Sequence, residues 1–577
     1  MKRRILTGII LAFSLGLFAT LLFFLGSSNR FEKLFISNEA AAELRSTHTE
    51  DPSIDLSSLR INSQRPFHTE TEIYYSIVEG DKHPYDPNIT IGSGLHVAFY
   101  ENGISEENIS NNIQPVAIIF NDYSYRELNL VVTTLPILSL DFEGGEMPTD
   151  KLDDNLKFKL FDNREGVFSR FIESDGSAHR RGGVSYGAPK ANLSLELTTE
   201  SVGNNTRKNE VSILGMKARS KYVLAGMYYD FEKCRDMFGA KLWQESSAKD
   251  NDFGLDLSYE FRYIEVIANG EYQGLYMIGY KPDETVFEVN TEGEHPDILF
   301  KMAEGENFSD FILGNVDVVA NIELESDTKT QYSYNVLREY MRAMYGSDPA
   351  KAMEWTDYNN ALDFWLFANI TQNDDIPRPE GMVKNSYLCF KWNGEHYKAL
   401  FIPWDHDIGM GTYSPFGAAY ERTPDRNVFL TTDYIALLHR TNNTEIDSVL
   451  WTKYSAMRLS VLSEKGIDSV VDDMERQIYD SGAFLRNQAR WPESNHLDSS
   501  EKLNRFREFA HARVAYLNTS LFSEENALSL PYSIPNFITV YLETGEILSP
   551  DDPEYLEKLP EEEIIDSYDY TSDYVGF

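Results

Sequence analysis

The sequence predicts an α+β protein whose first part is rich in strands and whose second part is helical. Short strand-like runs separated by turn residues fill residues 66–197, whereas helix-like runs dominate after Gly411. Two Asn-Gly pairs, at 269–270 and 393–394, each stand between strand-like runs. Such a pair is the strongest short-range hairpin signal, because a type I′ turn needs positive φ at both central residues. The chain is therefore expected to combine hairpins with a helical lobe that follows them.

Length and charge limit the functions open to the chain. Its 577 residues can form two or three domains, or one large domain with insertions. With 42% hydrophobic and 13% aromatic residues, it can bury a large core. The formal net charge of −40 argues against a nucleic-acid partner, whose binding requires clustered Lys and Arg. The two cysteines, Cys234 and Cys389, are too few for a disulfide framework.

The N-terminus is predicted to be a membrane-targeting segment. A basic start, Met1–Arg4, precedes the uncharged apolar stretch Ile5–Leu25. At about 21 residues this stretch is long enough to cross a bilayer as a helix, and the basic residues before it place the N-terminus in the cytoplasm. Cleavage after Ser28 is the alternative. We therefore expect residues 1–28 to be a signal-anchor or a signal peptide, and the main domain to be extracytoplasmic, either membrane-anchored or secreted.

Residues 29–134 are predicted to form a stalk and a small β-rich membrane-proximal region. The polar, mixed composition up to about Gln64 suits a stalk. Four strand-like runs then alternate with turn residues: Glu72–Val78, Leu95–Tyr100, Pro115–Phe120 and Leu128–Thr133.

Residues 135–521 are predicted to form a larger domain, followed by an acidic tail at 522–577. The strand-like runs of this domain are Ile137–Phe142, Leu156–Leu160, Val167–Glu173, Lys190–Leu197, Tyr263–Ala268 and Glu271–Ile278. A helix is expected from about Asp230, where apolar residues recur near the 3.6-residue period, and residues 284–330 are interpreted as an insertion. The other helix-like runs are Tyr332–Tyr345, Ala350–Ile370, Tyr434–His439, Asp447–Glu464, Ile467–Tyr479 and Ser500–Leu517.

The stretch 369–411 carries the densest group of polar residues. A helix-like run leads into Asp374 and Asp375, and a predicted hairpin, Ser386–Trp392 and His396–Trp404, follows. With a two-residue turn at 393–394, Trp392 faces Glu395 and Asn385 lies opposite Ile402. Asn385 and Asp405 would then share one open end of the hairpin, before a flexible glycine-rich exit.

Carboxylates and an amide on one sheet rim favour a site for a hard divalent cation and a phosphate. Asp-rich loops are more often solvated turns or helix caps, so both interpretations stay open at this point. Lys190 opens an alternating strand after the glycine turn in RRGGVSYGAPKANLSLEL. A lysine so placed can reach a phosphate as a point charge, although a simple exposed lysine fits the same pattern.

Several separated segments together resemble one family. In chain order they are RGGVSYGAPKANLSLEL, ILGMKARSKYVLAGMYYDFEKCRDMFGAKLW, YIEVIANGEYQGLYMI, NDDIPRPEGMVKNSYLCF, IPWDHDIGMG and RFREFAHARVAYLNTSL. They are similar to the CotH kinase family, the spore coat protein H-type kinases with an atypical protein-kinase-like fold. The resemblance covers roughly residues 135–521, and it implies a mixed, β-rich N-lobe and a helical C-lobe.

The resemblance also implies a reaction, transfer of the γ-phosphoryl group of ATP to Ser or Thr of a protein with the help of Mg²⁺. By matching motifs, Asp375 would be the catalytic acid that orients or deprotonates the acceptor hydroxyl, and Lys190 would contact the nucleotide phosphates. Asn385 and Asp405 would hold Mg²⁺, with Asp407 as an alternative to Asp405. Two further residues match the family pattern, and they could be structural or nucleotide-facing: Asp230 and Arg235.

One departure from the family pattern keeps other functions open. The family usually has a Glu shortly after the Tyr-x-Gly-x-Tyr strand, and residues 277–281 (MIGYK) occupy that place here. Glu284 is a substitute only if the strand runs on. A pseudokinase that serves as a structural or binding module of the cell envelope is therefore the second hypothesis. A metal-dependent hydrolase is the third, and it is weak because no spaced His/Asp ligand set accompanies the acids.

Overall fold

The chain divides into two compact units, Met1–Thr133 and Thr134–Phe577. The computed structural model describes residues 34–69, 71–80, 87–92, 94–101, 103, 105, 108, 115–199, 207–302, 309–319, 321–345, 348–373, 376, 384–414, 416–425 and 444–521. Helices and strands are both abundant in these residues, so the predicted α+β class is confirmed.

In its described residues, the first unit contains short strands and the helix at 38–47. Its elements are β1 (Phe35–Ile36), α1 (Asn38–Thr47), β2 (Thr49–Glu50), β3 (Arg60–Ile61), β4 (Phe67–His68), β5 (Ile73–Ser76), β6 (Ile89–Thr90), β7 (His96–Tyr100), β8 (Ala117–Phe120), β9 (Ser124–Leu128) and β10 (Leu130–Thr133). They pair as a five-stranded sheet (β1-β7-β8-β9-β2), a three-stranded sheet (β10-β5-β4) and a two-stranded one (β3-β6). The polar stretch from Leu34 to Gln64, predicted as a stalk, therefore contributes a helix and three strands to this unit.

The second unit begins with a closed seven-stranded barrel, in the order β11-β12-β13-β14-β15-β17-β16. Its elements are β11 (Ile137–Phe142), β12 (Asp154–Phe161), β13 (Phe171–Arg181), β14 (Asn192–Thr198), β15 (Lys221–Ala225), α2 (Arg235–Ser246), β16 (Phe261–Ala268) and β17 (Glu271–Gly279). Alternation directs the side chains: in β14, Leu193, Leu195 and Leu197 are buried while the residues between them are partly exposed. β13 continues to Arg181, beyond the end predicted for it.

The hairpin of β16 and β17 has the predicted two-residue turn. Ala268 pairs with Glu271, and Asn269 and Gly270 have φ of 47° and 77°. Positive φ at both positions is what a type I′ turn requires. Gly274, the glycine of the Tyr-x-Gly-x-Tyr motif, is needed for close packing and not for a turn. A Cβ at this position would lie 2.5 Å from Oδ1 of Asn487.

A four-stranded sheet, β19-β18-β20-β21, and helices complete the second unit. Its elements are β18 (Ile298–Met302), α3 (Ser309–Leu313), β19 (Ile322–Leu324), α4 (Thr330–Tyr345), α5 (Pro349–Glu354), α6 (Tyr358–Thr371), β20 (Ser386–Trp392), β21 (Tyr397–Pro403), α7 (Thr444–Leu459), α8 (Glu464–Glu475), α9 (Ala483–Arg490) and α10 (Asn504–Tyr516). Residues 284–330 are therefore not a mere insertion, because β18 is a central strand paired with β20.

The predicted helix Ala350–Ile370 is two helices, α5 and α6. The chain bends at Thr356, which bridges to Ala399, and Asp357 then caps α6 by accepting the backbone N–H of Asn360. Asn360 fixes α6 against β21, since its amide donates to the carbonyl of Phe401 (3.0 Å) and accepts the N–H of Phe401 (2.6 Å).

Among the residues that the structure describes, no helix is both long and apolar enough to cross a bilayer. The predicted membrane segment Ile5–Leu25, the run Tyr434–His439 and the acidic tail 522–577 lie outside the described residues.

Candidate active site

Asn385 and Asp405 meet at the open end of the β20–β21 hairpin. Ser386 pairs with Pro403, and the N–H of Trp404 donates to the carbonyl of Asn385 over 2.8 Å. Asn385 is thus opposite Trp404, and Asp405 is the next residue. The predicted shared rim is therefore present, two residues away from the predicted register.

The register differs because the turn at Asn393 is longer than two residues. Trp392 pairs with Tyr397, not with Glu395. The side chain of Asn393 accepts the N–H groups of Glu395 and His396, both over 2.9 Å, and this bonding holds a four-residue loop. Asn393 has no positive φ, so the turn is not type I′.

Both rim residues have a left-handed backbone. φ is 50° at Asn385 and 63° at Asp405, a conformation that costs free energy for any residue other than glycine. Such strain concentrates at functional sites, where the surrounding structure holds it. Asp405 is exposed and the neighbouring Asp407 is partly buried.

Asp236, in the first turn of α2, is a second carboxylate at this rim. Its Oδ1 accepts the backbone N–H of His406 over 2.6 Å. Burial, followed by the negative charge of Asp405, raises the pKa of Asp236 to about 8. Asp236 and Asp405 therefore form an acid pair whose repulsion a bound cation would relieve.

The buried side chain of His406 anchors the loop that carries Asp405 and Asp407. One ring nitrogen lies 2.6 Å from the hydroxyl of Tyr259, and the other lies 3.2 Å from the side-chain nitrogen of Asn373. The ring also lies against Gly239, where a Cβ would come within 2.6 Å of it. Burial lowers the pKa of His406 to about 3, so the ring is neutral at physiological pH.

Asp230 and Arg235 form a buried ion pair beneath the same loop. Nη1 of Arg235 donates to Asp230 over 2.6 Å and Nη2 donates to Glu232 over 2.9 Å. Nε donates to the carbonyl of Gly409 over 3.2 Å. These contacts favour the structural alternative, because each of the three nitrogens of the guanidinium donates to the protein. With the N–H of Met410 bonded to Thr371, they also fix the exit predicted to be flexible.

Lys190 lies in the interior, with a relative exposure of 1%. Its ammonium donates to the carbonyl of Leu275 and to Oδ1 of Asn487 and lies 4.3 Å from the ring centre of Tyr276. Burial, and then the charge of Lys233, lowers the pKa of Lys190 well below its usual value. The structure therefore shows a lysine bonded to the protein interior.

Arg181 is a cation at the rim that the sequence interpretation did not single out. It ends β13, and its guanidinium lies 5.8 Å from the ring centre of Trp404. Its charge acts on Asp236, where it opposes the rise in pKa, and on Tyr387. Arg181 and Asp236 each lie within a segment that carries the family resemblance, but no local pattern predicts that they lie close together.

The predicted catalytic acid Asp375 lies outside the described residues, as does Asp374. The structure does describe Asn373, which leaves the end of α6 through a left-handed Gln372 and bonds to His406. The chain that leads to Asp375 therefore starts next to the loop that carries Asp405.

The family model "CotH kinase protein" matches residues 178–517, more than half of the chain. The chain belongs to the CotH kinase family. No curated protein matches it significantly. The match spans every described rim residue, from Arg181 to Asp407, and it supports a kinase-like function.

The Glu that the family usually has after the Tyr-x-Gly-x-Tyr strand is not replaced by Glu284. β17 ends at Gly279, and Glu284 is exposed and accepts the backbone N–H of Asp327 over 3.0 Å. The condition under which Glu284 could substitute for the family residue is not met.

The rim residues fit a magnesium ion bound together with a nucleotide. Among the described residues, no group of three or more acids, histidines or cysteines could hold a metal by itself. Mg²⁺, however, usually binds through one or two carboxylates plus substrate phosphates and water. Asp405 and Asp236 supply two mutually repelling carboxylates, and Asn385 supplies an amide beside them.

Proposed function

We propose that this CotH-family chain is an ATP- and Mg²⁺-dependent protein Ser/Thr kinase that acts on a surface, envelope or spore-coat protein. The observation that carries the proposal is the order of elements around the rim. A buried helix, α6, leads into the Asp374/Asp375 loop, and a hairpin then presents Asn385 at its start and Asp405 at its end. Phosphoryl-transfer sites use this set, with one Asp to position the nucleophile and an Asn and a second Asp to hold magnesium.

The surroundings of the described residues support their roles, and the role of Asp375 rests on the family resemblance. Asp405 and Asn385 would hold Mg²⁺, with Asp407 as the alternative to Asp405, and the ion would neutralise charge on the phosphates. Asp375 would orient the acceptor hydroxyl. Asp230 and Arg235 would support the loop from below and would not touch the nucleotide. Lys190 could contact a phosphate only if its bonds to Leu275 and Asn487 were broken.

A pseudokinase that serves as a structural or binding module of the envelope is the second candidate. Two observations favour it: the family Glu after β17 has no substitute, and Lys190 is bonded to the interior. For either candidate, Ile5–Leu25 supports a membrane-anchored chain whose main domain is extracytoplasmic, or a secreted one after cleavage.

The first test is calorimetric titration of ATP into the full-length chain with and without Mg²⁺, together with phosphoryl transfer to Ser/Thr-containing proteins. For the kinase, Asp405→Ala should abolish Mg²⁺-dependent binding and lower transfer by about three orders of magnitude or more. The thermal unfolding temperature of Asp405→Ala checks that the variant is folded.

Asp407→Ala is the matched control, since it removes an acid from the same loop. A smaller effect there assigns the cation to Asp405. Mg²⁺-dependent ATP binding without transfer would favour the pseudokinase, and full activity in folded Asp405→Ala would remove this acid from the mechanism.

A further inference from the structure

The side chain of Arg181 has donors to spare beside the acids of the rim. It makes no hydrogen bond and no ion pair with the residues that the structure describes, although it is partly buried. Its guanidinium lies 5.8 Å from the ring centre of Trp404, which directly precedes Asp405. The planar guanidinium is itself pre-organised, so less side-chain entropy is lost for each hydrogen bond that it forms with a ligand.

An arginine that served only to balance the acid pair would be bonded to one of the acids. Arg235 shows this arrangement, with N–H···O bonds to Asp230 and Glu232. Arg181, in contrast, acts on Asp236 through its charge while its N–H groups are left for another acceptor. The position beside Asp405 is where an anion bound to the cation would lie.

The chain has an obvious competitor for this role in Lys190, and the structure argues against it. The ammonium of Lys190 already has two acceptors and an aromatic ring within the interior. If Lys190 moved to bind a phosphate, the side chain of Asn487 and the carbonyl of Leu275 would lose this buried donor. The phosphate contact would have to offset that cost in free energy. Arg181 can bind without breaking any hydrogen bond to the described residues.

We propose that Arg181 binds the terminal phosphates of the metal-bound nucleotide. The proposal rests on the proposed function, because it assigns a ligand to the same rim. The planar guanidinium suits two oxygens of one phosphate, and such charge-assisted, bidentate bonds are the strong ones. Arg181 is then a substrate-binding residue, and Lys190 stabilises the contact between α9 and the barrel.

The test is titration of the full-length chain with Mg·ATP, AMP and Mg·tripolyphosphate, in the wild type, Arg181→Met and Arg181→Lys. Arg181→Met should weaken Mg·ATP and Mg·tripolyphosphate about 10- to 100-fold, the range expected for charge-assisted hydrogen bonds. AMP, which has no terminal phosphates, should bind as in the wild type. Arg181→Lys should bind both polyphosphates with intermediate affinity, since lysine keeps the positive charge but lacks the bidentate N–H groups of the guanidinium.

Arg338→Met is the matched control. The guanidinium of Arg338 also lies near an aromatic ring, 4.8 Å from the ring centre of Phe311, but its hydrogen bonds stay within residues 311–338. It should leave all three affinities unchanged. Thermal unfolding of each variant checks the fold.

The outcomes separate this inference from the proposed function. If the wild type transfers phosphoryl groups and Arg181→Met binds Mg·ATP equally well, the inference on Arg181 is overturned and the kinase remains. If tripolyphosphate binding depends on Arg181 but no transfer from ATP occurs, the anion site stands and the kinase proposal falls. Failure of the wild type to bind either polyphosphate overturns the inference.

Discussion

Two acidic clusters flank the loop of Asp405, and they differ in how their charge is balanced. Beneath the loop, Asp230 and Glu232 share the guanidinium of Arg235, and all three side chains are at most 3% exposed. At the rim, Asp236 faces Asp405, and its bonded partner is a neutral backbone N–H. In the first, the closed cluster, the acids share a buried cation, and in the second, the open cluster, Asp236 is bonded to a neutral group.

The pKa shifts of Asp230 and Asp236 follow this difference, whereas burial raises the pKa of Glu232 within the first cluster. Burial alone would raise the pKa of Asp230, but the charge and the backbone N–H of Arg235 outweigh it, and the pKa is lowered. For Asp236, burial and the charge of Asp405 act in the same direction, and the pKa rises to about 8. A balanced buried cluster indicates a structural role, and an unbalanced one is a candidate binding site.

The largest effect on stability is expected when the closed cluster is opened. Arg235→Met leaves two buried acids without their cation and should lower the free energy of unfolding by about 3–5 kcal/mol. Urea unfolding measures this change. Lys217→Met, at an exposed pair with Asp256, is the control and should cost less than about 1 kcal/mol. A loss of similar size in both variants would contradict a structural role for the closed cluster.

The second prediction concerns the pH dependence of the open cluster in the absence of metal. The unfolded chain releases the proton of Asp236 near its ordinary pKa of 3.8, but the folded chain keeps it up to about pH 8. The folded state therefore binds more protons in this window, and its stability falls as the pH rises through it. Asp236→Asn removes this contribution and should be more stable than the wild type at pH 8, by on the order of 1 kcal/mol or more.

Chemical unfolding in EDTA from pH 4 to pH 8 measures this difference between the variant and the wild type. Asp363 is the control, because burial raises its pKa to about 7. Asp363→Asn should reduce the dependence of stability on pH without altering the stabilisation by Mg²⁺. Mg²⁺ should stabilise the wild type at pH 8 more than Asp236→Asn. If the wild type and Asp236→Asn had the same pH dependence of unfolding free energy and the same stabilisation by Mg²⁺, the acid pair would not be a cation site.

The two hairpins show how far local sequence predicts this fold. Asn269-Gly270 forms the type I′ turn that its residues favour, whereas Asn393-Gly394 forms a longer loop. The difference comes from the side chain of Asn393, which accepts two backbone N–H groups. The Asn-Gly pair therefore predicts that a hairpin exists. Its register depends on the hydrogen bonds of the Asn side chain, which the dipeptide alone does not specify.

The site was predictable only where its residues are close in the chain. Asn385 and Asp405 belong to one hairpin, so a small error in register still leaves them on one rim. Arg181 and Asp236 reach the rim from a barrel strand and a helix, and Lys190 is buried by a helix that lies far along the chain. Such meetings are set by the tertiary structure, which hydrophobic periodicity does not specify.

The smallest predicted difference in stability is between variants of two buried tyrosine hydroxyls, one at each cluster. Tyr259 bonds to His406 at the open cluster, and Tyr263 donates to the carbonyl of Lys233 at the closed one over 2.8 Å. Tyr259→Phe and Tyr263→Phe each leave one buried polar atom without that bond, so each should lower stability by about 1–3 kcal/mol. Stability alone therefore does not distinguish them.

The response to Mg²⁺ should distinguish them. His406 adjoins Asp405 and its N–H is bonded to Asp236, so the loss of the Tyr259 bond should loosen the acid pair and weaken Mg²⁺-dependent ATP binding several-fold. Tyr263→Phe should leave that binding unchanged, because its hydroxyl supports a cluster whose charges are already paired. Calorimetry on both variants, at a temperature where both are folded, measures the difference. Equal binding in the two would mean that the hydrogen bond from Tyr259 does not help to position the open pair.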